Sequence, residues 1–262
     1  MISPQAYVSP KAKIGENVEI KPFAYIEDDV VIGDGCVIMP YASIMNGVTM
    51  GKNNRVYQNC VIGSEPQDLN YNGQPTKVVI GDGNYFRENV IVAGGFIEGR
   101  LTTIGNENYF CSKSHICHDV HVHNESIVGI SASAAANSTL GQGCVLASAA
   151  IIQQAVRVGR YALVQSGCRV QKDVPPFIIL GGNPASYHGI FGQMLEYLKV
   201  SDETTHAILN AYRIIYTGNF SLEDAVLRIK EQLEMTPEIE SIVKFIDTSK
   251  NGIVRNMEQG TW

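Results

Sequence analysis

Aliphatic residues recur every six positions from the start of the chain: Ile2, Val8, Ile14, Ile20, Ile26, Ile32, Ile38 and Ile44. Four residues after each stands a small or β-branched residue: Ala6, Ala12, Val18, Ala24, Val30, Cys36, Ala42 and Val48. Two positions keeping one phase together make chance a poor explanation, and a repeat of this kind constrains the fold more than any other feature. A period of six matches neither a helix face nor a long strand. It fits short strands joined by tight corners, with the aliphatic residue inside and the small residue where the chain turns. Three such units close an 18-residue coil, and stacked coils satisfy one another's backbone groups by parallel pairing.

The phase survives two interruptions. After Ile62 comes a polar loop, and the ladder resumes at Ile80, Phe86 and Val92. It breaks again and then runs from Ile104 through Phe110, Ile116, Val122, Val128, Ala134, Leu140, Leu146, Ile152, Val158 and Val164 to Val170. Each loop therefore replaces a whole number of repeats, as a bulge from a continuous coil does. Glycine after the aliphatic residue, as at Gly15, Gly33, Gly81, Gly105, Gly141 and Gly159, is expected to give the corners flexibility. Cys36, Cys60, Cys144 and Cys168 occupy the inward small position, whereas Cys111 and Cys117 fall one residue after the aliphatic one and face outward. No CxxC pair occurs, which argues against zinc.

The ladder is expected to stop at Val174-Pro175-Pro176, with Gly181-Gly182-Asn183-Pro184 as a linker. A helical period follows. A segment near Phe191–Leu198 reads as a first helix. Ser201 or Asp202 caps another that ends near Tyr216 and is stopped by Gly218-Asn219, with Ala207, Ile208, Ala211, Ile214 and Ile215 as its buried face. Ser221 caps a third, carrying Leu222, Ala225, Val226, Ile229 and Leu233. Thr236-Pro237 opens a fourth, with proline at its first position. The fold expected is mostly β, a parallel β-helix of hexapeptide repeats over 1–188 with loops near 63–78 and 93–103, followed by an α-helical C-terminal domain over 189–262.

Chemistry concentrates in His115-Ile116-Cys117-His118-Asp119-Val120-His121-Val122-His123, which holds four of the six histidines. As a metal site it is poor, because His115 and His121 stand six apart and so point from different faces. His121 and His123 read as solvated surface residues. His118 is open to two readings, a surface histidine or a general base with Asp119 orienting its ring. One coil after His118 comes Ala136, whose backbone N–H is placed to polarise a carbonyl. The first loop, Gly63 to Thr76, is either a decorated corner or a lid that carries a carboxylate and amides.

The formal net charge of −6 argues against nucleic acid or an anionic membrane surface as the main partner. No apolar run approaches the roughly 18 residues of a membrane span, and the start lacks a basic, then apolar, signal pattern. A cytoplasmic protein without an integral membrane segment is expected.

Several stretches together resemble the UDP-N-acetylglucosamine O-acyltransferases of lipid A synthesis, within the hexapeptide-repeat acyltransferases. They are Pro66-Gln67-Asp68-Leu69 with Gly73-Gln74-Pro75-Thr76, Ser114 to Asp119, Asp173-Val174-Pro175-Pro176-Phe177, and Asn210-Ala211-Tyr212-Arg213 with Ile214-Ile215-Tyr216. The resemblance covers nearly the whole chain. It implies a left-handed coil, a homotrimer with sites between subunits, and transfer of an acyl group from acyl carrier protein to the 3-hydroxyl of UDP-N-acetylglucosamine. It implies His118 as base with Asp119 beside it, and the Ala136 amide as oxyanion donor. Gln67 and Asp68 would contact the sugar, His115 the phosphates and Gln154 the uridine, with Asn137 also at the substrate. No metal or organic cofactor is implied.

The sequence also departs from the family pattern. Asn137 and Gln153 replace histidines, and Asn70 replaces a basic residue. Ala93-Gly94-Gly95 replaces His-Arg-Gly, and Phe191, Gln193 and Tyr197 replace the usual Asn, Glu and Arg contacts to the nucleotide. From Gly189 onward 7 basic residues face 11 acidic ones, a poor match for an acidic carrier protein. A paralogue acting on another sugar or acyl donor, and a non-catalytic trimeric homologue, are the alternative expectations.

Overall fold

Each six-residue unit of the chain makes one two- or three-residue strand and one corner. In a computed structural model, which describes residues 1–97, 100–218 and 220–254, these strands form three parallel sheets that are the faces of one solenoid. The first face stacks nine strands, from Tyr7–Val8 to Arg169–Val170, and the second eight, from Lys13–Ile14 to Arg157–Val158. The third stacks nine parallel strands from Glu19–Ile20 to Ile178–Gly181 and adds one antiparallel strand, Ser186–Ile190, as its tenth. In register the inward aliphatic residues lie directly over one another, as Ile26 over Ile44 and His115-Ile116 over Ser133-Ala134. Both the aliphatic and the small positions are buried: Ile38, Ile44, Cys36, Ala42 and Cys144 have no exposed surface. Fully burying one such aliphatic side chain contributes about 1.5–3 kcal/mol, and the solenoid repeats that contribution coil after coil.

Polar groups also enter the interior, and at one corner they are paired along the stack. Asn54, Asn84 and Asn108 occupy the small position on successive coils of one corner and are fully buried. The Asn84 amide donates to Asn54 Oδ1 at 2.9 Å, and the Asn108 amide to Asn84 Oδ1 at 3.0 Å. The Ser126 backbone N–H then donates to Asn108 Oδ1 at 2.7 Å.

The corners correct one expectation. Left-handed backbone falls three residues after the aliphatic position, at Asn17, Tyr41, Asn53, Asn89, Asp119, Asn137, Ala155 and Tyr161 among others. Of the glycines directly after the aliphatic residue, Gly15, Gly33, Gly81, Gly105, Gly129, Gly141 and Gly159 are not at positive φ. They are small because the next coil is close: a Cβ on Gly33 would lie 2.6 Å from the Gly51 backbone, and one on Gly129 2.7 Å from Ala147. Close stacking, not corner flexibility, selects glycine there.

Both loops leave the same corner, the one joining the first face to the second. The first connects Val61–Ser64 to Val78–Ile80 and the second Ile91–Ala93 to Thr102–Ile104. Met50 pairs with Ile80, and Ile80 with Ile104, so the decorated coils span 30 and 24 residues and lengthen by whole repeats. Residues 98 and 99 of the second loop lie outside the described residues.

The top of the solenoid overturns a second expectation. The ladder does not end at the prolines. Val174 bridges to Val158, and Ile179 and Leu180 pair with Leu163 and Val164, so a further coil closes with two residues fewer than usual. The shortened corner breaks the six-residue phase but not the sheet. Gly181 to Ala185 is no linker either: it turns Ile178–Gly181 back onto the antiparallel strand Ser186–Ile190.

Four helices follow: α1 (Gly192–Tyr197), α2 (Asp202–Thr217), α3 (Leu222–Gln232) and α4 (Pro237–Asp247). Ser201, Ser221 and Thr236 cap the last three, each accepting a hydrogen bond from the backbone N–H three residues on. Asn219, expected to stop α2, and the tail from 255 to 262 lie outside the described residues. Tyr212 is buried beside the expected apolar face of α2 and hydrogen-bonds Pro176 O, while Arg157 reaches Phe245 O. The helices thus close the last coil.

Candidate active site

His118 stands at the corner between the first and second faces, directly after the strand His115–Ile116. The repeat fixes the local geometry: His115 points outward, Ile116 inward, and Asp119 takes the left-handed turn position with φ 58°. Aspartate tolerates that conformation better than most residues. The turn carries the Asp119 carboxylate back to His118, whose Nδ1 lies 2.7 Å from Asp119 Oδ2. With Nδ1–H donating to that carboxylate, the Nε2 lone pair is left free on the other side of the ring.

The second loop anchors this pair from below. The Asp119 backbone N–H donates to Thr102 Oγ1 at 2.9 Å, and the Thr102 hydroxyl donates to Ala93 O at 2.8 Å. Phe96 from the same loop packs its ring 5.0 Å from the imidazole, and Tyr71 of the first loop meets Phe96 edge-on at 5.5 Å. Under this roof His118 is only 5 % exposed and Asp119 1 %. Asp119 Oδ1 has no hydrogen-bond partner among the described residues, so the buried carboxylate is compensated chiefly through the imidazole.

Asp68 of the first loop faces the free nitrogen, with Oδ2 at 3.5 Å from His118 Nε2. The Asn70 backbone N–H, then its side-chain amide and the nearby imidazole, hold the Asp68 carboxyl below the usual carboxylate range. One coil up, the Asn137 N–H bonds His118 O at 3.3 Å and Ala136 O accepts from Ala155 N–H. The Ala136 N–H has no backbone acceptor among the described residues and borders the same cavity.

That cavity measures about 230 Å³ and brings together Gln67, Asp68, His115, His118, Ala136 and Gln154, six of the expected site residues. Asp119 sits behind His118. Asn137 does not line it: at the left-handed corner (φ 60°) its Oδ1 accepts instead from Arg100 Nη1. Burial pushes the His115 imidazole below the ordinary histidine value, so it presents a neutral ring. Ala93, Cys117 and Ala135 complete the wall. Burial pushes the Cys117 thiol up, partly offset by the Ala136 N–H beside its sulfur. His121 and His123 are exposed. Among the described residues no group of three His, Cys, Asp or Glu is placed to hold a metal ion.

Sequence reasoning missed Thr102, Phe96 and Arg100. Thr102 carried a readable signal, a hydroxyl at the small inward position two residues before Ile104. Phe96 and Arg100 carried none, because loop residues have no periodic neighbour to reveal where they fold.

A family model described as UDP-N-acetylglucosamine O-acyltransferase, domain 2, matches residues 173–254, and a bacterial transferase hexapeptide model matches 29–64. An acyl-[acyl-carrier-protein]–UDP-N-acetylglucosamine O-acyltransferase of Halorhodospira halophila is 41% identical over 255 residues, 97% of this chain and 99% of that one. A solved UDP-N-acetylglucosamine acyltransferase from Bacteroides fragilis superposes with a TM-score of 0.95 at 42% identity, over 97% of this chain and 100% of that one. The corresponding enzyme of Francisella novicida gives 0.95 at 30% identity, over 98% and 95%.

Proposed function

The chain belongs to the UDP-N-acetylglucosamine O-acyltransferase family, and on that premise we propose how its residues carry the reaction. It is an acyltransferase of lipid A biosynthesis that moves an acyl group from acyl carrier protein to UDP-N-acetylglucosamine. The accepting atom is the sugar 3-hydroxyl. His118 Nε2 removes its proton as the oxygen attacks the thioester carbonyl, and Asp119 stabilises the imidazolium that forms. The Ala136 N–H donates to the oxyanion of the tetrahedral intermediate. Its collapse breaks the C–S bond, and the proton on His118 passes to the departing carrier thiolate.

Gln67 and Asp68 hold the sugar, and Asp68 stays ionised at neutral pH. His115 meets the phosphates as a neutral hydrogen-bonding ring. Gln154 lies toward the uridine, and Asn137 acts at the rim through Arg100. The coil winds left-handed, and residues 1–188 supply the chemistry while the helices between 189 and 254 cap it. Gln67 and Gln154 are exposed on the cavity's outer side, where a neighbouring subunit of a homotrimer completes the site in the cytoplasm. No metal or organic cofactor enters the scheme.

One observation carries this reading: a buried imidazole clamped on Nδ1 by Asp119, open on Nε2 to a cavity that also holds the Ala136 N–H. Acyl transfer from carrier-linked thioester to UDP-N-acetylglucosamine is the test. His118→Ala is expected to lose on the order of 10³-fold in kcat, within reach of general-base loss. Transfer at the wild-type rate by that variant sinks the assignment.

A further inference from the structure

The corner that carries His118 continues upward. Ala136, Gln154 and Lys172 follow it at 18-residue steps, one per coil, since Ser133 pairs with Ile151 and Ile151 with Arg169. Gln154 borders the His118 cavity, and Lys172 borders a second cavity of about 290 Å³. This upper cavity lies between the last full coil, the Gly181–Ser186 turn and the returning segment at 253–254. Its walls bring Arg169, Gln171, Lys172 and Asn183 against Ala185 and Ile253.

Two cations and no carboxylate line it. Neither Arg169 nor Lys172 has a carboxylate within 4 Å among the described residues. The neighbouring Asp173 does not neutralise Lys172. That carboxylate is buried and accepts from the Arg157 backbone and Nε and from Ser249 Oγ. Lys172 Nζ donates to Asn251 O at 2.8 Å, which fixes the ammonium while leaving two of its three hydrogens. Arg169 stands on the same outward column as His115, two coils higher than Ser133 and one higher than Ile151. The helices that follow hold an excess of acid, so these two side chains concentrate positive charge at the upper end of the groove.

We propose that this upper cavity is a phosphate subsite of the same groove, in which the Arg169 guanidinium and the Lys172 ammonium hold a phosphate of a substrate whose reacting atom lies at His118. The inference rests on the function proposed above. Lys172 is three coils from His118, about 14 Å at the ordinary strand spacing. A planar fork beside a point charge is a chemically apt pair for a phosphate. Two sources share that chemistry, the diphosphate of the nucleotide sugar and the phosphodiester of the carrier's prosthetic arm; with the diphosphate read at His115 and the uridine toward Gln154, the upper site takes the phosphodiester of the arm.

Arg169→Gln, Lys172→Gln and the double variant test this assignment. Both side chains are exposed, so the variants are expected to fold, with unfolding curves as the control. The loss falls on KM, about tenfold per charge removed and about a hundredfold in the double variant. A rise in KM for the acyl carrier, with that for UDP-N-acetylglucosamine unchanged, supports the arm's phosphodiester at this site. Unchanged values for both, or a rise confined to UDP-N-acetylglucosamine, in a double variant that still transfers overturn the proposal. If the wild type transfers no acyl group, the function fails separately, and calorimetry with phosphopantetheine decides the subsite. Weaker phosphopantetheine binding by the double variant supports it, and equal binding, or none by the wild type, overturns it.

Discussion

The lower and upper stretches of one corner column do different physical work. Around His118 two loops roof the corner, bury an imidazole–carboxylate pair and bring Asp68 onto the free nitrogen. Around Lys172 the same column is open, its cations exposed and solvated. The repeat supplies the same backbone at both places, so the difference comes from what is inserted below. Proton transfer gains from a site where water is excluded and charges interact strongly. Capture of an anion gains from reach and exposure, and is weakened by salt.

The sharpest way to break this comparison is to remove the carboxylate that burial makes effective. Asp119→Asn keeps the shape of the corner but takes away the acceptor that fixes the Nδ1–H tautomer. A loss on the order of 10³-fold in kcat is expected, with KM little changed. If the lower stretch were merely a decorated surface, this variant would transfer nearly as well as the parent.

Thr102→Val tests whether the loop matters through hydrogen bonding or through shape alone. The side chains are similar in size, but the Asp119 N–H and Ala93 O both lose their partner. A buried group left unpaired costs about 1–3 kcal/mol, so urea midpoints should fall and kcat should drop about tenfold. Thr102→Ser, which keeps the hydroxyl, is expected to recover most of both. Phe96→Ala should act more weakly, lowering kcat severalfold by wetting the ring while leaving the unfolding midpoint nearly in place.

What the sequence made legible follows the same division. In the coil every residue has neighbours 18 positions away, so the ladder placed Ile116 inside, His115 outside and Ala136 above His118 without any structure. The capping serines and the Thr236-Pro237 start were equally readable, because a cap is a local signal. The loops were not, since nothing periodic says that Phe96 folds over His118. The short coil at Val174–Leu180 was hidden for another reason: dropping two residues destroys the phase even though pairing with Leu163 and Val164 continues. The basic pair escaped notice because Arg169 and Lys172 become one feature only when the 253–254 segment returns to wall their cavity.

The smallest effect offers the most selective probe of the roofed stretch. His115 lines the lower cavity, and desolvation holds its imidazole below the ordinary histidine value. Its ring signals in NMR should therefore titrate at lower pH than those of a histidine in an unfolded reference peptide. The folded state binds that proton less readily than the unfolded state does. Stability from this group is thus fully present above the unfolded histidine value near pH 6.5 and is lost as pH falls below it. His115→Gln should flatten that slope on the acid side and leave stability near pH 8 almost unaltered. An ordinary titration for His115 would mean that the cavity is as wet as the upper one, and the contrast between the two ends of the corner would then rest on charge alone.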